Sequence, residues 1–165
     1  MKMVVFGSLN IDKTYSLEDF VRPGQTISAS KMEQFCGGKG FNQAVALSRA
    51  AAPVSMAGAV GPDGDMLLEV LKAEGVGLEY LQTLNAPTGH AIIQVDSSGQ
   101  NCIIIHPGAN GMISPELIDR VLSGFDAGDW LVLQNEISNL PYLIEAAHLK
   151  GLKILLNPSP FDKDF

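Results

Sequence analysis

The sequence predicts an α/β fold in which a mostly parallel sheet carries helices on both of its faces. Three observations lead to this prediction. The 165 residues are 46% hydrophobic and only 18% charged, a composition that suits one compact domain or part of one. Short apolar runs alternate with stretches of helical periodicity, as they do in βαβ units. Two further β-rich runs lie close together and predict a small second sheet.

Four short apolar runs have the composition of strands that are buried on both faces of a sheet. They lie at residues 2–8, 54–60, 130–133 and 153–156. Helical patterns lie between them. Residues 64–74 place apolar side chains on one face, and Gly75 suits a left-handed C-terminal cap. Ser114 and Asn139 are predicted to cap two more helices, because each precedes a first turn that contains proline.

Two β-rich segments do not fit this alternation. Residues 91–96 and 101–106 are separated by Ser-Ser-Gly-Gln, which is typical of a hairpin and not of a crossover helix. Residues 11–15 and 26–35 can supply two further extended segments. We therefore expect a small, mostly antiparallel flap, formed near residues 11–35 and 88–106, on the α/β body.

Charge and composition exclude several classes of partner. The net charge is −7, with 11 basic against 18 acidic residues and no basic run, so nucleic acid is not an expected partner. No apolar stretch approaches the roughly 18 residues of a membrane helix, and no signal sequence precedes the first strand. We expect no membrane association and a cytoplasmic location.

The cysteines and histidines form no recognisable chemical motif. Cys36 and Cys102 have neither metal-ligand nor CxxC spacing and are predicted to be small core or sheet residues, although a disulfide between them remains open. His90, His106 and His148 make no triad or zinc pattern, so we expect ordinary sheet or helix residues and no metal site.

Asn10 and Asp12 are the first candidates for binding. They leave the carboxyl end of the first buried strand, where open α/β sheets hold ligands. In an extended chain their side chains project to the same side. Asp accepts from hydroxyl groups while Asn both donates and accepts, a combination that suits a vicinal diol. The alternative is an ordinary turn after a strand, which Asn and Asp also favour.

A glycine-rich segment supplies the second set of candidates. Residues 36–44 read CGGKGFNQA and precede an alanine-rich helix. The glycines let the backbone approach a ligand, the helix directs free N–H groups into the same space, and Lys39 and Asn42 add side-chain donors. The segment matches neither the Walker P-loop nor GxGxxG. A helix start with a plain turn is the alternative.

These motifs belong to a longer ordered set. It comprises GSLNID at residues 7–12, GGKGFNQA at 37–44, AGAVGPDG at 57–64, PTG at 87–89, IHPGAN at 105–110, QNE at 134–136 and NPSP at 157–160. The set resembles the front half of the ribokinase-like, or PfkB-type, carbohydrate kinase family, and ribokinases more than other members. The resemblance extends over essentially residues 1–165 and implies a truncated ribokinase-like fold, which is Rossmann-like with a β-lid.

The resemblance also implies a sugar site. The residues that match the family's sugar contacts are Asn10, Asp12, Gly38, Lys39, Asn42 and Glu136. Glu136 has an alternative role, because a carboxylate after a buried strand can cap the helix that begins near Asn139. The flap would act as a lid over the sugar and could pair with a second subunit's lid, giving a homo-oligomer.

The family's catalytic segment has no counterpart in these residues. In the family, a Gly-Ala-Gly-Asp stretch opens a helix and supplies the catalytic base and the phosphate site. The nearest match, Ala127-Gly128-Asp129, leads into a predicted strand. We therefore assign no catalytic or cofactor-binding residue. The resemblance implies ATP and Mg²⁺ as cofactors of the complete enzyme, whose adenine and phosphate segments would lie in the absent back half.

Three hypotheses follow from the sequence. The first is the sugar-binding part of a ribokinase-like kinase that phosphorylates a sugar hydroxyl, with ribose as the leading substrate, and that is inactive as this chain alone. The second is a non-catalytic sugar-binding or lid-mediated interaction protein derived from the kinase fold. The third keeps the kinase activity and changes the substrate to fructose, a keto-deoxy sugar acid or a nucleoside.

Overall fold

The computed structural model describes residues 1–161 and 163, which form two sheets and four α-helices. The strands are β1 (Met3–Phe6), β2 (Asn10–Ser16), β3 (Lys31–Gly37), β4 (Ser55–Val60), β5 (Gly77–Thr83), β6 (Gly89–Val95), β7 (Asn101–His106), β8 (Trp130–Gln134) and β9 (Lys153–Asn157). The helices are α1 (Lys39–Arg49), α2 (Asp65–Ala73), α3 (Pro115–Leu122) and α4 (Leu140–Leu149), with a short 3₁₀ helix at Gly108–Met112.

The larger sheet is parallel, as predicted. Its strand order is β5-β4-β1-β8-β9, and every neighbouring pair runs in the same direction. The strand β5 is the one that the sequence analysis does not predict. Its sequence, GLEYLQT, is interrupted by polar residues and lacks the continuous apolar run that marks the predicted strands of this sheet. The other edge strand, β9, has such a run, but contrary to the prediction of a strand buried on both faces none of its residues is buried.

Helices cover both faces of this sheet, because successive residues of each strand point to opposite sides. Val4 and Phe6 pack with the buried faces of α3 and α4, whereas Val5 packs with α1 and α2. All three side chains are fully buried. The first strand therefore lies at the centre of the core, and its carboxyl end opens directly into the segment that contains Asn10 and Asp12.

The smaller sheet is the predicted flap. Its order is β3-β2-β6-β7, with antiparallel β2/β3 and β6/β7 pairs and a parallel β2/β6 pair. The turn between β6 and β7 contains Gly99 in the left-handed region, with φ of 82°. Residues 26–30 were expected to be extended but precede β3 without joining the sheet. Of the flap strands, β3 contacts α1 and α2, and β6 contacts the 3₁₀ helix.

The predicted helix ends are correct at two positions and wrong at one. The Ser114 hydroxyl accepts a hydrogen bond from the N–H of Leu117 (3.3 Å), and Gly75 follows α2 with φ of 76°. Asn139 does not cap α4 with its side chain. Its backbone is left-handed (φ 56°), and its amide instead donates to the carbonyl of Ile113 (2.7 Å), so it joins α4 to the segment before α3.

The two cysteines lie in the flap at its opposite edges. Cys36 is in β3 and Cys102 is in β7, so a disulfide between them is ruled out by the strand order, and both thiols are free. His90 and His106 are sheet residues that face each other across the β6/β7 pair with ring centroids 5.1 Å apart, and His148 lies in α4.

Within residues 1–161 and 163, no helix has the length and apolar character needed to cross a membrane.

One hydrogen-bonded cluster ties the flap to the body. Thr88, immediately before β6, is fully buried, and its N–H and hydroxyl both donate to Asp63 Oδ1 (2.8 and 2.7 Å). The N–H of Gly61 in turn donates to the Thr88 hydroxyl (2.9 Å). The hydrogen bond from the Thr88 hydroxyl, above all, lowers the pKa of Asp63 below its usual value. The loop after β4 is thereby fastened to the start of the flap.

We expect Asp63→Ala to lower the free energy of unfolding by about 1 kcal/mol at neutral pH. Buried Thr88 loses its acceptor, but position 63 is exposed, so water can replace part of the lost hydrogen bonding. The loss should shrink as the pH falls through the lowered pKa of Asp63, since a depressed carboxyl pKa stabilises the fold only while the group is ionised. Urea unfolding at several pH values measures this. Glu69→Ala, on the exposed side of α2, is the control; equal effects of the two variants would contradict the prediction.

Candidate functional site

The six predicted site residues line a single cavity of about 160 Å³ where the two sheets meet. The polar side of the cavity consists of Asn10, Asp12, Gly38, Lys39, Asn42 and Glu136. The opposite side is apolar and comes from the flap strands: Ala91, Ile93, Ile103 and Ile105. Residues up to 126 positions apart in the sequence meet here because β1 and β8 are neighbours whose carboxyl ends share one edge of the sheet. The binding roles of these residues remain a prediction.

The strand β2 directs Asn10 and Asp12 towards the cavity. Both belong to β2, and Ile11 between them points the other way into the core, where it is 6% exposed. The alternation of an extended strand thus places two polar side chains on the cavity side, as the sequence predicts. They are strand residues, so the alternative of a plain turn is wrong for this segment.

The environment of Asp12 disfavours its charge. Partial burial raises its pKa above the usual value, the nearby carboxylate of Glu136 raises it further, and the Lys39 ammonium opposes both effects. Gly37 makes room for the carboxylate, since a Cβ at that position would lie 2.1 Å from Asp12 Oδ2. A ligand that donates hydrogen bonds to Asp12 would replace part of the hydration that the carboxylate has lost.

The carboxylate of Glu136 contacts Lys39, the first residue of α1, so the alternative role as a cap of α4 is wrong. One carboxylate oxygen, Oε1, is 3.1 Å from the ammonium of Lys39. The other, Oε2, accepts from the hydroxyl of Ser8 (2.5 Å) and from the backbone N–H of Lys39 (3.2 Å). Because Gly38 before the helix has no capping side chain, Glu136 caps α1 from another part of the chain.

Two glycines let α1 approach the end of β1. Gly38 has φ of 94°, and a Cβ there would lie 2.6 Å from the carbonyl oxygen of Ser8. A Cβ at Gly40 would lie 2.7 Å from the backbone of Gly7. The glycine-rich segment therefore serves close packing between backbone segments, in addition to the predicted approach to a ligand.

Two supporting residues are not among the sequence candidates. The buried hydroxyl of Ser8 connects Glu136 to α1, since it also accepts from the N–H of Gly40 (3.4 Å). Buried Asn110 bonds to the backbone of Leu9 and to the side chain of Asn10. Both residues occur in the motifs quoted above, which is the only sequence signal for them. Their partners are between 32 and 128 positions away along the chain, so only the fold brings them near.

Asp129, in the Ala-Gly-Asp segment, has a structural role. Asp129 lies in the turn before β8, and its carboxylate accepts from the backbone N–H groups of Lys2 (2.7 Å), before β1, and of Asp126 (3.0 Å). The segment leads into a strand, as predicted. Within the described residues, no group of three or more His, Cys, Asp or Glu side chains is arranged to hold a metal ion.

The cavity has the chemistry of a site for a small polyhydroxylated molecule. Carboxylate acceptors and amide and ammonium donors lie on one side, where they can satisfy hydroxyl groups that leave water. The isoleucines of the flap can cover the less polar face of such a molecule. The glycine-led start of α1 is capped by the protein's own Glu136, so it is not free to take a phosphate group.

Comparison with known proteins identifies the family to which these residues belong. The family model for pfkB family carbohydrate kinases matches residues 1–162. The ribokinase of Staphylococcus aureus is 35% identical over 166 residues, an alignment that covers 96% of this chain and 54% of that protein. This chain thus spans about half the length of that relative, and a similar share of others.

Solved ribokinase structures share the fold. The crystal structure of ribokinase from Thermotoga maritima superposes with a TM-score of 0.85 at 36% identity, covering 98% of this chain and 54% of that one. The structure of Arabidopsis thaliana ribokinase complexed with ribose and ATP superposes with a TM-score of 0.80 at 33% identity, covering 96% of this chain and 53% of that one. The parallel sheet, its helices and the flap are therefore common to this chain and those enzymes.

Proposed function

The chain belongs to the pfkB family of carbohydrate kinases, and from this premise we propose that it forms the sugar-binding part of a kinase that phosphorylates a sugar hydroxyl, with ribose as the first candidate substrate. One observation carries the proposal. Six polar or glycine residues from three separate segments surround one cavity beneath the flap, and their donors and acceptors suit a polyol.

In this proposal the polar side of the cavity holds the sugar. Asp12 accepts hydrogen bonds from hydroxyl groups, and Asn10, Lys39 and Asn42 supply donors. Glu136 keeps α1 and Lys39 in place through its three contacts. The apolar side of the flap closes over the sugar and excludes water, which strengthens each polar contact. The flap therefore acts as a lid.

Phosphoryl transfer is proposed for the complete enzyme only. The Arabidopsis ribokinase structure contains both ribose and ATP, which supports ATP as the phosphoryl donor. Mg²⁺ would neutralise the phosphate charge, as it does in phosphoryl transfer generally. The 165 residues contain no Gly-Ala-Gly-Asp stretch and so supply neither the expected base nor the expected phosphate site. A cytoplasmic location, where ATP is available and thiols stay reduced, fits the two free cysteines.

A second candidate is a sugar-binding or lid-mediated interaction protein without catalysis. The capped start of α1 favours it, because this glycine-led helix start at the cavity is engaged by Glu136. Fructose, a keto-deoxy sugar acid and a nucleoside stay as alternative substrates of the kinase.

Calorimetric titration with ribose, fructose and adenosine, each with and without ATP and Mg²⁺, tests these proposals. Saturable binding of ribose by the purified chain is the expected result. Preference for fructose or adenosine would change the substrate, and absence of binding to all three would contradict a sugar site. A sugar-binding chain whose gene encodes no further kinase segment would favour the second candidate.

The lid is also expected to mediate association into a homo-oligomer. On its cavity side Phe35, Ile103 and Ile105 are 49, 49 and 52% exposed, an apolar surface that a second lid could cover. Ile103→Glu should therefore raise the proportion of monomer in sedimentation velocity. Ile104→Glu is the matched control, because this neighbour is also exposed and points to the opposite face of β7. A wild-type chain that remains monomeric at high concentration would contradict the prediction.

A further inference from the structure

The buried side chain of Asn110 has all of its polar atoms committed. Its Oδ1 accepts from the N–H of Leu9 (3.1 Å), and its Nδ2 donates both to the carbonyl of Leu9 (3.1 Å) and to Oδ1 of Asn10 (2.8 Å). Asn110 is 1% exposed. Its orientation is determined by the backbone, because only an oxygen can accept from the Leu9 N–H and only a nitrogen can donate to the Leu9 carbonyl.

This chain of contacts determines the orientation of Asn10 as well. The amide nitrogen of Asn110 can bond only to an acceptor, so Asn10 must turn its oxygen towards Asn110. Its nitrogen is then directed to the cavity that Asn10 lines. Gly89 leaves the space for the pair, since a Cβ there would lie 2.1 Å from Asn110 Nδ2 and 2.5 Å from Asn10 Oδ1.

The orientation matters because Asp12 lies two residues further along the same face of β2. A hydroxyl group has one proton, so between two acceptors it can satisfy only one. Between the Asn10 donor and the Asp12 acceptor it can make both bonds, by accepting from one and donating to the other. An Asn10 turned the other way would leave one of the two bonds unmade.

We propose that Asn110 is a positioning residue that holds Asn10 with only its donor towards the cavity, so that Asn10 and Asp12 together select a hydroxyl that accepts from one and donates to the other. This inference rests on the proposed sugar-binding function and adds a residue that does not itself line the cavity. It also narrows the role of Asn10, which the sequence alone leaves as both donor and acceptor.

The test is a double-mutant cycle on ribose affinity, measured by calorimetry. Asn110→Asp keeps the size of the side chain and an acceptor for the Leu9 N–H, but it replaces the donor to Asn10 with an acceptor. We expect it to weaken ribose binding about tenfold, the effect of roughly one hydrogen bond. In an Asn10→Ala background the same substitution should change affinity by less than about twofold, because its route of action is gone.

A purely structural role for Asn110 gives a different result. Distortion of β2 through Leu9 would weaken binding by the same factor in both backgrounds, and that outcome would overturn the proposal. Thermal midpoints of all four proteins show whether each variant folds. If wild type binds none of the three sugars or nucleosides tested above, the proposed function fails and this inference fails with it; if wild type binds and the cycle is additive, only the inference fails.

If a variant does not fold or bind, a measurement on the wild-type chain tests whether the amide nitrogen of Asn10 faces the ligand. The side-chain NH₂ signals of Asn10 in a ¹⁵N-resolved NMR spectrum should shift when ribose is added, while those of Asn110 should stay in place because they are already bonded inside the protein. Ribose binding that leaves the Asn10 side-chain signals unmoved would overturn the proposal.

Discussion

Asp12→Ala should abolish detectable ribose binding while leaving the thermal midpoint almost unchanged. Each charge-assisted hydrogen bond to a ligand contributes roughly 1.5 to 3 kcal/mol, so the loss of two such bonds lowers affinity by a factor of about 100 or more. Glu136 cannot substitute for Asp12, because both of its oxygens already bond to Ser8 and Lys39.

The stability of the folded chain should not fall with the loss of ribose binding. The pKa of Asp12 is raised in the folded chain, chiefly by burial, so the folded state binds this proton more readily than the unfolded state does. The group therefore favours folding most at low pH, and this contribution is lost as the pH rises through the raised pKa. At neutral pH, removing the carboxylate costs little or stabilises the chain slightly.

Calorimetry with ribose and a thermal melt at neutral pH measure the two effects. Asp19→Ala removes an exposed carboxylate outside the cavity and serves as the control, with unchanged binding expected. If Asp12→Ala lost binding and stability together, Asp12 would be a structural residue of the strand; if binding stayed at the wild-type level, the assigned cavity would not be the sugar site.

A polypeptide of residues 1–165 should show no ribose-dependent consumption of ATP, even with Mg²⁺ and saturating ribose. Catalysis by positioning requires both reactants in one site, and a bound sugar without a phosphate site meets no second reactant. The one glycine-led helix start at the cavity, that of α1, already binds Glu136 through the Lys39 N–H. The expected rate is therefore indistinguishable from the background without ribose.

A coupled assay of ADP release measures this rate. A full-length ribokinase serves as the positive control, and addition of the separately expressed second half of such an enzyme tests whether the two parts can act together. Ribose-dependent ADP release by the 165-residue chain alone, retained through repurification and lost in Asp12→Ala, would contradict the prediction.

Sequence patterns were sufficient for the larger elements and for the candidate residues of the cavity. Continuous apolar runs made β1, β4, β8 and β9 recognisable, whereas β5, with the sequence GLEYLQT, has no such run. The same patterns placed Asn10 and Asp12 after the carboxyl end of the first strand, whereas Glu136 became a candidate through the family resemblance. Convergence of the cavity residues follows from parallel topology, which a sequence of alternating strands and helices implies.

The tertiary structure decided which polar groups bond to each other. Glu136 caps α1 instead of α4, and Asn139 bonds to Ile113 instead of capping its own helix. Asn110 reaches Leu9 and Asn10 across about 100 residues. Periodicity and capping preferences describe neighbours along the chain, whereas a hydrogen bond depends on atoms within about 3 Å in space. The sequence by itself therefore determined the fold class and the polar composition of the cavity, and only the folded chain determined the direction in which each donor and acceptor points.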